Sequence, residues 1–263
     1  IVNLIRRFRS RLIYPALTRL MQRCLPAPTK FLNYGYTPLP NDPGFIVPDL
    51  PPEEETDRLF IQLYHRIVQA HVRDRDILEV SCGHGGGAEY MARYLQPRSV
   101  VGVDWNPEAI AFCRSRYAGI SNLSFQVGDA EHLPIGDQSV DAVVNIEASH
   151  CYGSMGRFLR EVKRVLRPGG YFLFADLRSP AEQVELESLF MDAGFQTHAQ
   201  QDLTPNVVAA LRQDEERKWS LFNKAPGWLH GTLAEFARAE GSQGFLALVK
   251  RSRLYLGYTL QRA

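Results

Sequence analysis

From residue 76 onward the chain alternates two hydrophobic patterns. Short runs that are apolar almost throughout read as buried strands: "DILEV", "SVVGVD", "LSFQVGD", "VDAVVNIE" and "YFLFADL". Between them lie stretches whose apolar residues recur every three to four positions, which read as helices: "GAEYMARYL", "PEAIAFCRSRY", "MGRFLREVKRVL" and "AEQVELESLFMDAG". Pro107 falls in the first turn of one of these, and Pro168-Gly169-Gly170 stop the next. A further helix, "DRLFIQLYHRIVQAHV", precedes the series. Pro51, Pro52 and the acids Glu53, Glu54 and Glu55 open it, where they suit a positive helix start. Residues 203–240 read as helical with no strand among them, and "GFLALVKRSRLYLGYTLQ" reads as two terminal strands, arranged as a hairpin. Repeated strand–helix units with strands apolar on both faces predict an α/β fold. The expectation is a Rossmann-like, seven-stranded, mostly parallel sheet with helices on both faces.

The first 50 residues differ in pattern. Leu4, Ile5, Phe8, Leu12, Ile13, Leu17, Leu20 and Met21 recur at helical spacing among six arginines and no acid. This predicts an N-terminal helical extension, basic and amphipathic, suited to pack on the main domain, to cross to a second copy in a homo-oligomer, or to lie on an anionic membrane. Residues 26–52 form an irregular connector too aromatic to be a flexible linker, and Phe31, Tyr34, Tyr36 and Phe45 are expected to pack on something. The chain therefore divides into residues 1–50, a substrate lid or oligomer contact, and a main domain over 51–263 with 203–240 as a helical cap insertion.

Composition narrows the function. A net charge of +1 argues against a general nucleic-acid binder. The four cysteines are widely spaced with no Cys-x-x-Cys pair, so neither a disulfide framework nor a zinc site is expected, and the setting reads as a reducing cytoplasm. No stretch reaches the roughly 20 apolar residues of a membrane span. The histidines show no metal motif, and no metal is expected.

In doubly wound sheets ligands bind beyond the carboxyl ends of the strands. The first strand leaves through "ILEVSCGHGGG", whose glycines fit neither the dinucleotide spacing nor a phosphate loop. Glu79 just before the turn would repel phosphate and suit a cation. Asp104 ends the next strand, where an acid accepts from the two hydroxyls of a ribose. Asp129 ends the third and can accept from the amine of adenine, while Trp105 offers the purine an apolar face. Either acid can also be an ordinary cap or turn residue. Ribose, adenine and a cation without phosphate describe S-adenosylmethionine.

The motifs "EVSCGHGGG", "GVD", "VGDAEHLP" and "VLRPGGYFLFADL" resemble those of class I S-adenosylmethionine-dependent methyltransferases over about residues 60–180. "FLNYGY", "LYHR", "NIEASHCY", "RFLREVKRVLRPGGYF" and "ADLR" resemble more closely the phthiotriol/phenolphthiotriol dimycocerosate methyltransferases, which O-methylate complex lipids. The C-terminal third matches less clearly. The resemblance implies that Glu79, Gly83 and Gly85 line the methionine end of the cofactor and that Asp104 holds the ribose. Asp129 and Ala130 would hold the adenine, and Asn145 would lie beside the methionine through its backbone. Ser81 stands where most of the superfamily has glycine, and reads as a variant whose hydroxyl contacts the ligand.

Methyl transfer from a sulfonium needs no metal, only alignment and, for an alcohol acceptor, a base. The resemblance implies His150 as that base. A structural turn histidine is the competing reading. Glu147 is the second catalytic candidate, with an electrostatic role toward the sulfonium as its alternative. His84 is expected near the cofactor's carboxylate. Tyr34, Tyr36, Tyr152, Trp219 and Phe222 are the expected lining for a bulky hydrophobic acceptor, with Arg178 at the rim. The product cofactor would be S-adenosylhomocysteine. The expected reaction is O-methylation of a hydrophobic small molecule or lipid. C-methylation of a prenyl or sterol-like chain and a non-catalytic cofactor-binding module are the rivals.

Overall fold

The computed structural model describes residues 29–40, 42 and 44–263. The expected N-terminal helix lies outside the described residues. Seven strands form one sheet in the order β3-β2-β1-β4-β5-β7-β6. They are β1 (Asp76–Val80), β2 (Ser99–Asp104), β3 (Leu123–Val127), β4 (Val140–Ile146), β5 (Leu166–Arg178), β6 (Phe195–Asp202) and β7 (Leu254–Arg262). β1 to β5 run parallel, and β7 is antiparallel to both of its neighbours. The order reverses between β1 and β4, which opens a crevice at their carboxyl ends.

The helices are α1 (Arg58–Val68), α2 (Gly86–Tyr94), α3 (Pro107–Arg116), α4 (Met155–Val165), α5 (Pro180–Asp192), α6 (Thr204–Gln213), α7 (Glu215–Phe222), α8 (His230–Phe236) and α9 (Gln243–Val249). Local chemistry sets their starts. Asn106 and Ser154 cap α3 and α4, and Ser179 with Glu182 forms a capping box at α5. Two apolar clusters cover the two faces of the sheet. One gathers Ile77, Val144, Leu173 and Tyr255 with α1 and α2; the other gathers Leu78, Val143, Phe172 and Phe174 with α4 and α5. Alternate residues of each strand thus point to opposite layers, as a doubly covered sheet requires.

Three expectations about the C-terminal half change. β5 begins at Leu166, so "RPGG" lies inside a 13-residue strand and does not separate helix from strand. Residues 195–202 form β6 ahead of the helical segment. β6 is an edge strand with only Phe195 buried, so it lacks the apolar run that marks an interior strand. The predicted terminal hairpin is one helix and one strand. β7 pairs with β5 on one side and β6 on the other, which leaves no edge for residues 243–249. Ser242 caps α9 there, and Phe245 and Leu248, three apart, turn inward together. The helical segment over 203–240 holds, with α7, α8 and the turn between them enclosing a small core of Phe222, Ala225, Leu229, Leu233 and Ala239.

The connector after residue 28 is irregular and packed. Phe31 lies against Phe60 and Tyr64 with ring centres 6.1 and 5.8 Å away, and Tyr36 is buried. Lys30 is held by Glu54 and Glu89 at 2.9 and 3.0 Å. Residues 29–34 therefore form a packed strap, of which residues 30–34 line the crevice.

Candidate functional site

Two of the loop's glycines make room for the chain itself. A Cβ on Gly87 would lie 2.0 Å from the Tyr64 ring, and one on Gly86 2.7 Å from the Lys30 carbonyl. Gly87 lets Tyr64 reach Glu79, and Gly86 lets the strap lie on the loop. Gly83 and Gly85 have φ of 54° and 77°, the left-handed region that turns the chain from β1 into α2.

The crevice is lined by the strap, this loop, and the exits of β2, β3 and β4. Of the residues singled out from the sequence it gathers Phe31, Tyr34, Ser81, Gly83, His84, Asp104, Trp105, Asp129, Ala130, Glu147, His150 and Tyr152. Asp104 is buried; its two oxygens accept from the amides of Gly83 and Asn106 at 3.0 and 2.9 Å. Burial raises its carboxyl above the ordinary range, and those amides counter the rise. Asp129 accepts from the amide of Glu131 at 2.9 Å, so it is a turn residue and also part of the wall. Trp105 is 41% exposed at the rim, free to cover a ring.

Glu79, Gly85 and Asn145 stand behind the wall. Glu79 Oε1 accepts the Tyr64 hydroxyl at 2.6 Å, while Oε2 is buried with no hydrogen-bond partner. Burial pushes this carboxyl up to about 8, against the pull of the Tyr64 hydrogen bond. Asn145 is fully buried and donates to the Val80 carbonyl at 3.0 Å and to the Tyr152 hydroxyl at 2.8 Å.

Tyr36, Trp219 and Phe222 lie outside the cavity. Tyr36 is 1% exposed and bonds Asp42. Trp219 meets Phe222 edge-on with ring centres 5.5 Å apart, and Phe222 sits in the small core of the cap. Apolar residues at helical spacing pack their own helices, and only Phe236 of the cap reaches the cavity. Arg178 is not at the rim. It is buried, 3.1 Å from Asp176 and 2.6 Å from the Ser149 hydroxyl. His84 turns its Nδ1 to the Thr29 carbonyl at 2.8 Å and so ties the strap to the loop.

The residue missed from the sequence is Asp176, at the carboxyl end of β5. It is fully buried and accepts from His150 Nδ1 at 2.7 Å, the His150 amide at 2.8 Å and the Ser149 hydroxyl at 2.5 Å. The ring of His150 remains 38% exposed. Burial opposes charge on this imidazole, but the charge and hydrogen bond of Asp176 outweigh it, and its pKa lies well above the ordinary value. Asp176 itself is held well below the usual carboxylate range: desolvation opposes this, and His150 and Arg178 prevail. Glu147 has a left-handed backbone, φ 54°, and its Oε2 accepts the Tyr34 amide at 3.0 Å and the Tyr255 hydroxyl at 2.9 Å. Burial raises it to about 8, countered by the Tyr255 bond and by His150. Among the described residues no group of three or more His, Cys, Asp or Glu side chains is placed to hold a metal ion.

This is a crevice at the carboxyl ends of a doubly wound sheet, with His150, paired to the buried Asp176, in its wall. A family model described as "Methyltransferase domain" matches residues 78–174. A probable phthiotriol/phenolphthiotriol dimycocerosates methyltransferase 2 of Mycobacterium ulcerans is 43% identical over 205 residues, 75% of this chain and 78% of that one. A fatty-acid O-methyltransferase of Mycolicibacterium smegmatis is 42% identical over 211 residues, 80% of this chain and 75% of that one. The fold is similar to that of a geranyl diphosphate C-methyltransferase from Streptomyces coelicolor A3(2). That match has a TM-score of 0.67 and 16% identity, covering 95% of this chain and 97% of that one. The cyclase SpnF is similar in fold too, with a TM-score of 0.68 and 19% identity over 95% of this chain and 93% of that one. The chain belongs to the S-adenosylmethionine-dependent methyltransferases, in the family of the M. ulcerans and M. smegmatis enzymes.

Proposed function

We propose that this enzyme methylates a hydroxyl of a hydrophobic, lipid-like acceptor, with His150 as the general base and Asp176 as its positioning residue. The bond of 2.7 Å between His150 Nδ1 and Asp176 Oδ1 carries the reading. It fixes the ring and turns Nε2 away from the acid, and His150 is part of the cavity wall. The relatives named for dimycocerosates and fatty acids support a lipid acceptor.

The cavity fits the cofactor. Asp104 and Trp105 suit the ribose and purine, Asp129 and Ala130 the adenine edge, and Glu79 behind the loop is an acid that a bound cation would help to ionise. When bound, S-adenosylmethionine supplies an electrophilic methyl on a positive sulfur. The chain's own part is to orient the acceptor, exclude water beneath the strap, and take the hydroxyl proton on His150 Nε2. Tyr34 and Phe236 shape the acceptor side, the cap residues 203–240 close it, and Glu147 anchors the strap through the Tyr34 amide. The described cysteines, Cys82, Cys113 and Cys151, are free thiols, in keeping with a cytoplasmic enzyme.

Methyl-labelled cofactor incubated with separate lipid, protein and nucleic-acid fractions tests the acceptor class. Label should enter lipid; label confined to protein or nucleic acid contradicts the proposal. A second reading follows from the raised pKa of His150. A protonated imidazole would pair with the carboxylate of a fatty acid and make an ester without a base. The direction of the pH profile separates the two. Base catalysis needs neutral His150, so kcat/KM should rise with pH on a limb lying above the ordinary imidazole value. Carboxylate binding by the imidazolium would make it fall there.

Two predictions concern the cofactor. Asp104→Ala should weaken S-adenosylhomocysteine roughly 10- to 100-fold by calorimetry, through lost hydrogen bonds to a charged acceptor. Unchanged affinity would remove Asp104 from the ribose site. Glu79 and Glu147, both raised to about 8, are largely protonated at pH 7. A bound cation lowers an acid's pKa, so S-adenosylmethionine should release protons on binding at pH 7, and the neutral thioether product fewer. Binding heats in two buffers of different ionisation enthalpy measure this. Equal proton release for the two ligands would place both acids out of reach of the sulfonium.

A further inference from the structure

Ser81 and Tyr152 leave one proton unassigned. Ser81 Oγ lies 2.7 Å from Tyr152 Oη, and both residues line the cavity. Asn145 Nδ2 spends its two protons on the Val80 carbonyl and on Tyr152 Oη. The bond between the two hydroxyls uses one hydroxyl proton, from either partner. The other hydroxyl proton has no acceptor in any hydrogen bond formed among the described residues. If Tyr152 donates to Ser81, the serine proton is left; if Ser81 donates, the tyrosine proton is left. The phenol does not resolve this by ionising, since burial holds its pKa far above neutral.

We propose that this shared hydroxyl proton binds the carboxylate at the amino-acid end of the cofactor, which makes Ser81 and Tyr152 a joint carboxylate subsite. The inference rests on the cofactor placement proposed above. Three observations point to this occupant. The pair sits where β1 and β4 end side by side, at the reversal of strand order, and Asp104 and Trp105 place the nucleoside on the β2 side. The 5′ tail then runs to β1 and β4. Glu147 and Asp104 are the acids of the wall nearest that tail, Glu79 stands behind it, and Lys30 in the wall is already taken by Glu54 and Glu89. A carboxylate entering there needs a donor, and the unassigned hydroxyl proton is one.

The arrangement also accounts for serine in place of glycine. Ser81 has φ 61°, the left-handed region that glycine adopts without strain. A side chain strains the backbone at such a position, and an interaction of that side chain has to offset the strain. Here it gives a hydrogen bond to Tyr152 and a donor for the ligand. Tyr152, expected on the acceptor side from the sequence, thereby belongs to the cofactor side.

The test follows from the shared proton. Ser81→Ala leaves the tyrosine proton free to serve, and Tyr152→Phe leaves the serine proton, so each single variant should bind S-adenosylhomocysteine within about three-fold of wild type. The double variant loses both and should bind it roughly 10- to 100-fold more weakly. 5′-Methylthioadenosine, which lacks the amino-acid end, should bind all four proteins alike. Calorimetry reads the affinities. Wild-type affinity for S-adenosylhomocysteine in the double variant overturns the inference. So does an equal loss for both ligands, which would mean a structural role. Retained methylthioadenosine binding in the first event leaves the adenosine site standing. A measurement on the unmodified protein is independent of folding: the decarboxylated analogue of S-adenosylhomocysteine should bind roughly 10- to 100-fold more weakly than the parent. Equal affinity overturns the inference.

Discussion

Replacing His150 with alanine is expected to cut turnover roughly 10²- to 10⁴-fold, the usual contribution of a positioned general base. The affinity for S-adenosylhomocysteine should stay within about two-fold, because the ring sits beyond β4 beside β5, whereas the residues proposed for the nucleoside follow β2 and β3. It is partly open to solvent and forms no part of either sheet-covering core, and Arg178, Ser149 and the residue-150 amide still hold Asp176, so the variant should fold with reduced stability. Added imidazole should restore part of the rate, since the vacated space opens on the cavity. Unchanged turnover would assign His150 to the turn alone.

Asp176→Asn should be nearly as costly, with turnover falling on the order of 10²-fold. This residue acts through another, so the rate is not its most telling readout. The charge of Asp176 is what raises the imidazole pKa against desolvation. Without it the pKa drops, and the rising limb of the pH–rate profile should move to lower pH while its plateau falls. A residue with a merely structural role would lower the plateau and leave the limb in place. A cost in stability is also expected. Arg178 loses the partner 3.1 Å away, and an amide cannot accept from Ser149, Leu177 and both His150 donors at once. Breaking one side of a buried pair typically costs about 3–5 kcal/mol, so the variant should melt at a lower temperature.

The contrast between Asp104 and Asp176 shows what the sequence made legible. Asp104 follows an apolar strand and stands about 20 residues beyond a glycine loop, so spacing along the chain identified it. The partnership of Asp176 with His150 joins the end of β5 to the turn after β4, 26 residues apart, and no local period encodes it. A signal was present all the same. Asp176 ends the apolar run "YFLFAD" just as Glu79 ends "DILE", and an acid at the carboxyl end of a buried strand belongs to the crevice. The strands of the parallel half could be read because both their faces are buried. β6 could not, because an edge strand can be polar. "GFLAL" was ambiguous because a short apolar run fits either period, and the settling fact, that β7 has no free edge, is a property of the whole sheet.

The acceptor residues were the least legible. Trp219 and Phe222 were reasonable lining candidates by residue type, yet Phe222 closes a separate small core and Trp219 lies exposed beside it. Meanwhile Phe31, Leu32 and Asn33 of the strap line the cavity beside Tyr34, from a connector with no regular pattern. Glu131 was passed over although it follows Asp129 and Ala130. It accepts from the amides of Gly153 and Ser154 at 2.8 and 3.0 Å, and thereby ties the turn after β3 to the loop that carries His150.

The proposal that His150 activates a hydroxyl is tested most directly by the chemical nature of the methyl group transferred. The labelled lipid product of the wild-type enzyme, treated with mild alkali, should keep its label, because a methyl ether resists hydrolysis. Release of the label as methanol would show a methyl ester, identify a carboxylate acceptor, and contradict the role of His150 as a base.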